Sequence, residues 1–158
     1  MDEAAKKTAL RMIPYGLFVM TVKDGDQMTG AAVNWLTQAS FAPPLVVLGA
    51  KADAPSTEMI ANSGKFLINV LETGQVPLAS AFFKHVEPEG NKLGGAEFTP
   101  SPNGLPVLKD ALAWWECDLR ETVAIGDHTI FVGEVIEAGV QKEGEPLTLA
   151  ETGFKYGG

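Results

Sequence analysis

Short apolar runs separated by turn-forming residues organise this chain. Leu17 to Val22 is apolar and rich in β-favouring side chains, Lys-Asp-Gly-Asp follows as a hairpin signal, and Met28 to Val33 resumes the run. This pattern predicts two antiparallel strands. Ala31 to Phe41 mixes small, polar and apolar residues too closely for an ordinary buried strand. The Pro43-Pro44 pair ends whatever precedes it, because proline donates no backbone hydrogen bond. Leu45 to Leu48 reads as a short buried strand. At its end, Gly49-Ala50 removes bulk where a ligand or another backbone could approach; a tight barrel corner would need the same small residues.

Asp2 to Met12 predicts a short helix ending near Pro14. Asp53 to Gly64 carries the clearest helix signals, with Asp53 or Ser56 as cap, Pro55 in the first turn, Glu58 at the positive end and Gly64 as stop. Phe66 to Leu71 predicts a strand and Gln75 to Lys84 a second helix with Pro77 in its first turn. Gly90 to Gly104 reads as a long loop. Ala113, Trp115, Cys117 and Leu119 alternate with Trp114, Glu116, Asp118 and Arg120, which predicts a strand with one buried face. Thr129 to Ala138 predicts another strand, and Thr148 to Tyr156 a last edge strand. Six or seven strands with two short helices between them fit a closed or nearly closed β-barrel. A doubly wound α/β fold fits less well, because too few helices are available as crossovers.

At 158 residues the chain suits a single domain, 1–158, with one sizeable core. Its net charge of −8, with Lys and Arg scattered rather than clustered, argues against nucleic acid as a partner while leaving a phosphorylated small molecule open. The lone cysteine, Cys117, excludes an intrachain disulfide, and no metal site is predicted from Cys117, His85 and His128 alone. A cytoplasmic address is the expectation. No signal-like segment opens the chain, and no apolar run reaches the roughly 18 residues of a membrane span.

Candidate chemistry concentrates at a few positions. Ser56 and Thr57 open the best-marked helix, where free N–H groups and the dipole favour an anion, although plain capping uses the same residues. Lys51 and Lys92 are candidate cations for that site. His128 follows the Gly126-Asp127 turn at the start of a strand, where an imidazole can bind, polarise or deliver a proton, or simply hold structure through hydrogen bonds. His85 reads as exposed, and Cys117 as core packing. The chain contains no Gly-x-Gly-x-x-Gly after a strand, no Walker loop, no Gly-x-Ser-x-Gly and no Cys-x-x-Cys. Redox chemistry would therefore need a bound cofactor in a non-Rossmann fold.

Several motifs in order resemble the flavin reductase-like family of FMN-binding split barrels. They are Pro14-Tyr-Gly-Leu-Phe-Val-Met-Thr-Val, Gly30-Ala-Ala-Val-Asn-Trp-Leu-Thr-Gln-Ala-Ser-Phe-Ala-Pro-Pro-Leu-Val-Val-Leu, Ser56-Thr57 with Phe66-Leu-Ile-Asn-Val-Leu, Leu112-Ala-Trp-Trp-Glu-Cys and Gly126-Asp-His-Thr-Ile-Phe-Val-Gly-Glu-Val. The resemblance implies a mainly β split barrel with a few short helices, which binds FMN and is reduced by NADH or NADPH. Reduced flavin would then pass electrons to free flavin, a partner oxygenase or another acceptor; an FMN carrier without nicotinamide turnover is the alternative. It further implies that Ala32, Val33, Asn34 and Trp35 run along the flavin ring, with Thr37 near the ribityl chain. Gly49, Ala50 and Lys51 would border the other side. Ser56 and Thr57 would take the phosphate with help from Lys92, and His128 would stand where nicotinamide stacks. A homodimer with flavin at the interface completes the expectation.

Overall fold

The alternating runs of the first fifty residues become strands of one antiparallel sheet, seen in a computed structural model that describes residues 1–158. α1 (Glu3–Leu10) starts on Asp2, whose carboxylate accepts from the N–H groups of Ala4 and Ala5, and it buries no side chain. β1 (Phe18–Asp24) and β2 (Gln27–Val33) pair from Phe18↔Val33 to Asp24↔Gln27. β3 (Leu36–Ser40) and β4 (Leu45–Lys51) form the next hairpin, across the proline pair. Thr37, Gln38 and Ala39 of β3 face solvent, which explains a composition unlike that of a buried strand.

α2 (Pro55–Ser63) begins one residue after the start an Asp53 cap would give and two before the start a Ser56 cap would give. Ala54 is the N-cap and makes no side-chain cap bond, so neither Asp53 nor Ser56 caps the helix. Pro55 at the first helical position, with its fixed φ, sets this start and moves Ser56 and Thr57 inside the first turn, where both are buried. β5 (Lys65–Val70) follows directly.

The helix expected over Gln75 to Lys84 is only α3 (Val76–Ser80), because turns take over from Ala81 and Phe82 folds into the core. The segment read as a loop instead contains a four-stranded meander: β6 (Pro88–Glu89), β7 (Lys92–Leu93), β8 (Ala96–Pro100) and β9 (Pro106–Leu108). Its glycines and prolines mark the turns between strands too short to show a period. Buried hydrogen bonds fasten it to the barrel: Thr21 Oγ1 donates to the Pro106 carbonyl at 2.6 Å, and the Leu108 N–H donates to Asn69 Oδ1 at 2.8 Å.

β10 (Ala113–Val123) and β11 (His128–Val140) form the longest hairpin. β10 has cover on both faces, rather than the single buried face predicted. Cys117 points into the barrel core, while on the other side Trp114 packs against Leu67, Leu105 and Val107. Glu116 is fully buried there, accepting from Ser101 Oγ at 2.5 Å. Thr148 to Tyr156 does not form a strand: α4 (Leu149–Thr152) turns the chain, leaving only isolated bridges such as Gly16↔Thr148.

The strand order is β2-β1-β5-β10-β11-β4-β3. The outermost strands, β2 and β3, are consecutive in sequence and joined only through Asn34-Trp35, so the sheet must curl until its edges nearly meet. The result is the predicted split barrel with a few short helices. Its interior is packed by Met20, Val22, Leu48, Phe66, Ile68 and Phe131, with Met59 and Ile60 of α2 added to the same cluster. Burial pushes the Cys117 thiol up to about 12, with the nearby Glu116 and Asp118 charges adding to the shift. A second core, including Val19, Phe82, Leu93, Leu108 and Leu147, lies between the barrel wall and the meander. No helix is long and apolar enough to cross a membrane.

Candidate functional site

Between β2 and the end of β4, a cavity of about 690 Å³ opens. That volume lies within the roughly 300–1,000 Å³ of cofactor sites. β2 contributes Gly30 to Val33, followed by Asn34; the end of β4 contributes Gly49, Ala50 and Lys51; the approach to α2 contributes Asp53 to Ser56. Phe82 to His85, His128, and Phe154 to Tyr156 complete the lining. The chain thus brings Ala32, Val33, Asn34, Gly49, Ala50, Lys51, Ser56 and His128 of the predicted set around one space.

Asn34 is buried, and its Nδ2 has no hydrogen-bond partner. An unmet buried donor costs about 1–3 kcal/mol, so an amide in this position calls for an acceptor from a ligand. Ser56 is buried beside the first turn of α2, where N–H groups lack intrahelical partners. Thr57 turns away from the cavity and donates from Oγ1 to the Lys51 carbonyl at 2.7 Å, which fastens the strand end to the helix. Lys51 Nζ lies 3.6 Å from Asp53 Oδ1, a loose exposed pairing that leaves the ammonium able to turn to an anion.

His128 is held from both sides of its ring. Nδ1 donates to Asp127 Oδ1 at 2.9 Å, and Nε2 is 2.8 Å from Tyr156 Oη. The hydrogen bond to His128, and then the charge of the ring, hold the Asp127 carboxyl below the usual carboxylate range. Trp35 lies behind the imidazole with ring centroids 4.4 Å apart, and its centroid is 5.3 Å from that of Tyr156. Gly49 makes this possible: a Cβ there would stand 3.3 Å from Trp35 atoms. The small residue therefore admits Trp35, and Trp35 packs behind the cavity wall instead of lining it.

The other predicted residues lie elsewhere. Thr37 lines a separate groove of about 410 Å³ with Phe18, Leu36, Trp115 and Val135. Lys92 is exposed on β7, opposite Glu97, outside the cavity lining. Sequence reading also missed lining residues. Phe82 to His85 lie along β2, fixed by the Ala32 N–H donating to the Phe82 carbonyl at 3.0 Å and Thr29 Oγ1 donating to the Val86 carbonyl at 2.7 Å. His85 is exposed, as expected, yet it sits at the cavity mouth. No local pattern marks this stretch, since Phe82 is buried while Phe83, Lys84 and His85 are exposed. Tyr156 reaches His128 because α4 ends at Gly153 in the left-handed region, at φ 74°, and turns the chain back. The carboxylate of Glu151 anchors that turn by accepting from the Thr73 hydroxyl and from the Gly74 N–H.

These features fit a flavin mononucleotide: a buried donor for an acceptor on a ring edge, and a hydroxyl, a helix start and a lysine for a phosphate. Comparison with known proteins agrees. The family model for the flavin reductase like domain matches residues 10–158. A flavin reductase from Pseudomonas putida is 34% identical over 153 residues, covering 96% of this chain and 87% of that protein. A high molecular weight rubredoxin from Moorella thermoacetica is 36% identical over 145 residues, 90% of this chain, and the match spans only 63% of that protein. Among solved structures, the NADH:FAD oxidoreductase SgcE6 of Streptomyces globisporus, in complex with NAD and FAD fragments, gives a TM-score of 0.79 at 29% identity over 90% of this chain and 84% of that one. The chain belongs to the flavin reductase-like family.

Proposed function

We infer that this chain binds FMN and reduces it with NADH or NADPH, the reduced flavin then passing electrons to free flavin, a partner oxygenase or another acceptor. The observation that carries this reading is the unpartnered, buried Asn34 amide at a cavity that also presents Ser56 and His128. Bound flavin supplies the two-electron chemistry by accepting a hydride from the reduced nicotinamide. The protein supplies position and charge. Asn34 donates to the ring edge, Ser56 and Lys51 hold the phosphate, and the apolar wall of Ala32 and Val33 keeps water from one side of the ring. His128, with its Nδ1 proton fixed on Asp127, turns Nε2 toward the second ligand once the Tyr156 hydroxyl gives way.

A flavin carrier without nicotinamide turnover is favoured by one observation: both ring nitrogens of His128 already have protein partners. Anaerobic mixing of the FMN-loaded protein with NADH or NADPH separates the two readings. Bleaching of the flavin absorbance within seconds supports the reductase; absence of bleaching with either nucleotide overturns it. A cytoplasmic setting, where both nucleotides are available, belongs to the same reading. So does a homodimer with flavin at its interface, supported by the open cavity mouth and by exposed Leu10, Met12 and Ile13. Sedimentation of FMN-loaded protein as a monomer at micromolar concentration would sink the dimer.

A further inference from the structure

The chain is held in two different ways on either side of Gly153. Before it, α4 is anchored: the Glu151 carboxylate accepts from the Thr73 hydroxyl and the Gly74 N–H, and the Leu149 N–H donates to the Tyr15 carbonyl at 3.0 Å. Beyond it, no N–H from Lys155 to Gly158 takes part in a backbone–backbone hydrogen bond. Phe154, Lys155 and Tyr156 are exposed there, although all three line the cavity. Side-chain contacts hold this segment down. Phe154 packs edge to face on Phe83 with centroids 5.5 Å apart, Tyr156 Oη lies 2.8 Å from His128 Nε2, and Arg11 Nε donates to the Gly157 carbonyl at 3.0 Å. A firm base and a loosely held end, meeting at a glycine with φ 74°, form a hinge.

In this closed position the segment covers two groups. Tyr156 takes the Nε2 side of His128, whose side chain is only 16% exposed, so that nitrogen is out of a ligand's reach. Gly157 lies over Trp35: a Cβ there would stand 3.9 Å from Trp35 Nε1, and this buried donor has no partner. Closure thus seals an unmet donor that water would satisfy on opening, which favours lifting the segment. α1 gains a role from the same contacts. The helix buries no side chain, yet Arg11 at its C-cap carries the bond to Gly157, and a Cβ on Gly158 would stand 2.7 Å from the Lys7 carbonyl oxygen.

We propose that residues 154–158 are a strap clasped by Arg11, which blocks His128 while closed and swings about Gly153 to admit the second ligand of the cavity. This rests on the flavin reductase reading, in which that ligand is the reduced nicotinamide nucleotide. Protein with the strap closed does not take up the nucleotide, so the apparent affinity is reduced by the closed fraction, and loosening the clasp raises it.

Fluorine NMR of protein labelled with fluorotyrosine reads the strap directly, because the chain has only two tyrosines, Tyr15 and Tyr156, and Tyr156→Phe assigns their resonances. In the FMN-loaded protein, a saturating amount of the tetrahydro form of whichever nucleotide bleaches the flavin, which cannot give up a hydride, is expected to move the Tyr156 resonance toward that of free fluorotyrosine. Arg11→Ala is expected to move it the same way with no nucleotide present. The same variant is expected to lower the KM for the nucleotide about threefold or more at constant kcat, with FMN affinity within about twofold of wild type. Arg11 is exposed and outside the cavity lining, so retained FMN affinity reports an intact fold. The strap is overturned by a Tyr156 resonance that the tetrahydro nucleotide leaves in place while the reduced nucleotide still bleaches the flavin, by one that Arg11→Ala leaves in place, or by a KM in that variant equal to or above wild type. Absence of bleaching by either nucleotide overturns the flavin reductase reading instead, and the Arg11→Ala resonance then still decides whether the clasp holds the segment.

Discussion

Two concavities open on the same barrel, and they differ in chemistry more than in size. The larger gathers Lys51, Asp53, Lys84, Lys155 and both histidines; the groove beside Trp115 has no charged side chain in its lining. Each also has an unpartnered buried donor nearby, Asn34 Nδ2 for the cavity and Trp115 Nε1 for the groove. The donor is thus common to both, and the convergent charge belongs to one. Asn34 and Thr37 show how narrowly this is decided. The chain crosses the split between them, and residues a few positions apart enter different spaces.

The sharpest way to break this contrast is to change one residue on each side. His128→Ala is expected to slow flavin reduction by NAD(P)H about 10²-fold or more, with a smaller change in FMN affinity, while Trp115→Phe leaves the reduction rate at the wild-type value. Equal rates for all three proteins in stopped-flow bleaching would remove the functional distinction between the two spaces.

The interior that separates them gives an effect of comparable size. With the Cys117 thiol raised to about 12 from an ordinary 9.0, the folded state keeps a proton that the unfolded chain releases first. The stability tied to that proton is intact below pH 9.0 and disappears as pH rises through about 12, amounting to about 4 kcal/mol at the alkaline limit. Denaturant titrations of wild type and Cys117→Ala across that range should show the wild type losing more, and parallel curves would contradict the shift.

Smaller effects test the phosphate end. Ser56→Ala should reduce the preference for FMN over riboflavin by about 1.5–3 kcal/mol, and Thr37→Ala, in the groove, should leave it intact. Thr57→Ala is expected to cost about 1 kcal/mol of stability through the lost bond to the Lys51 carbonyl, again without changing that preference. A shifted preference in the Thr57 variant would return its hydroxyl to the ligand. The mildest change is Tyr156→Phe, which frees His128 Nε2 but keeps the ring; a KM for NAD(P)H lowered a few-fold at constant kcat is the expected signature.

The barrel was legible because hairpins announce themselves locally: Lys23 to Asp26 and Gly126-Asp127 both sit at real turns. The meander was not, since strands of two residues show no period. At α2 the helix was visible but its phase was not; Pro55 put the cap at Ala54, between the two predicted positions, and so changed the roles of Ser56 and Thr57 in different directions. Strand-derived site residues were found through motif order. Those brought in by tertiary folding, Lys84, Lys155 and Tyr156, carry no local mark, because their meaning depends on Phe83 meeting Phe154 and on α4 turning where a strand was expected.

The joining of first and last sheet positions by Asn34-Trp35 has a kinetic consequence. β1–β2, β3–β4 and β10–β11 can each form early as local hairpins, but β1–β5, β5–β10 and β4–β11 must bring distant segments together. Such non-local pairings are the slow part of β-protein folding, on the order of milliseconds to seconds. The cavity walls come from β2, β4, β11 and the segment after α4, so no single hairpin can assemble them. A ligand held there reports completion of the whole ladder, and during refolding its capture should lag behind the gain of strand signal.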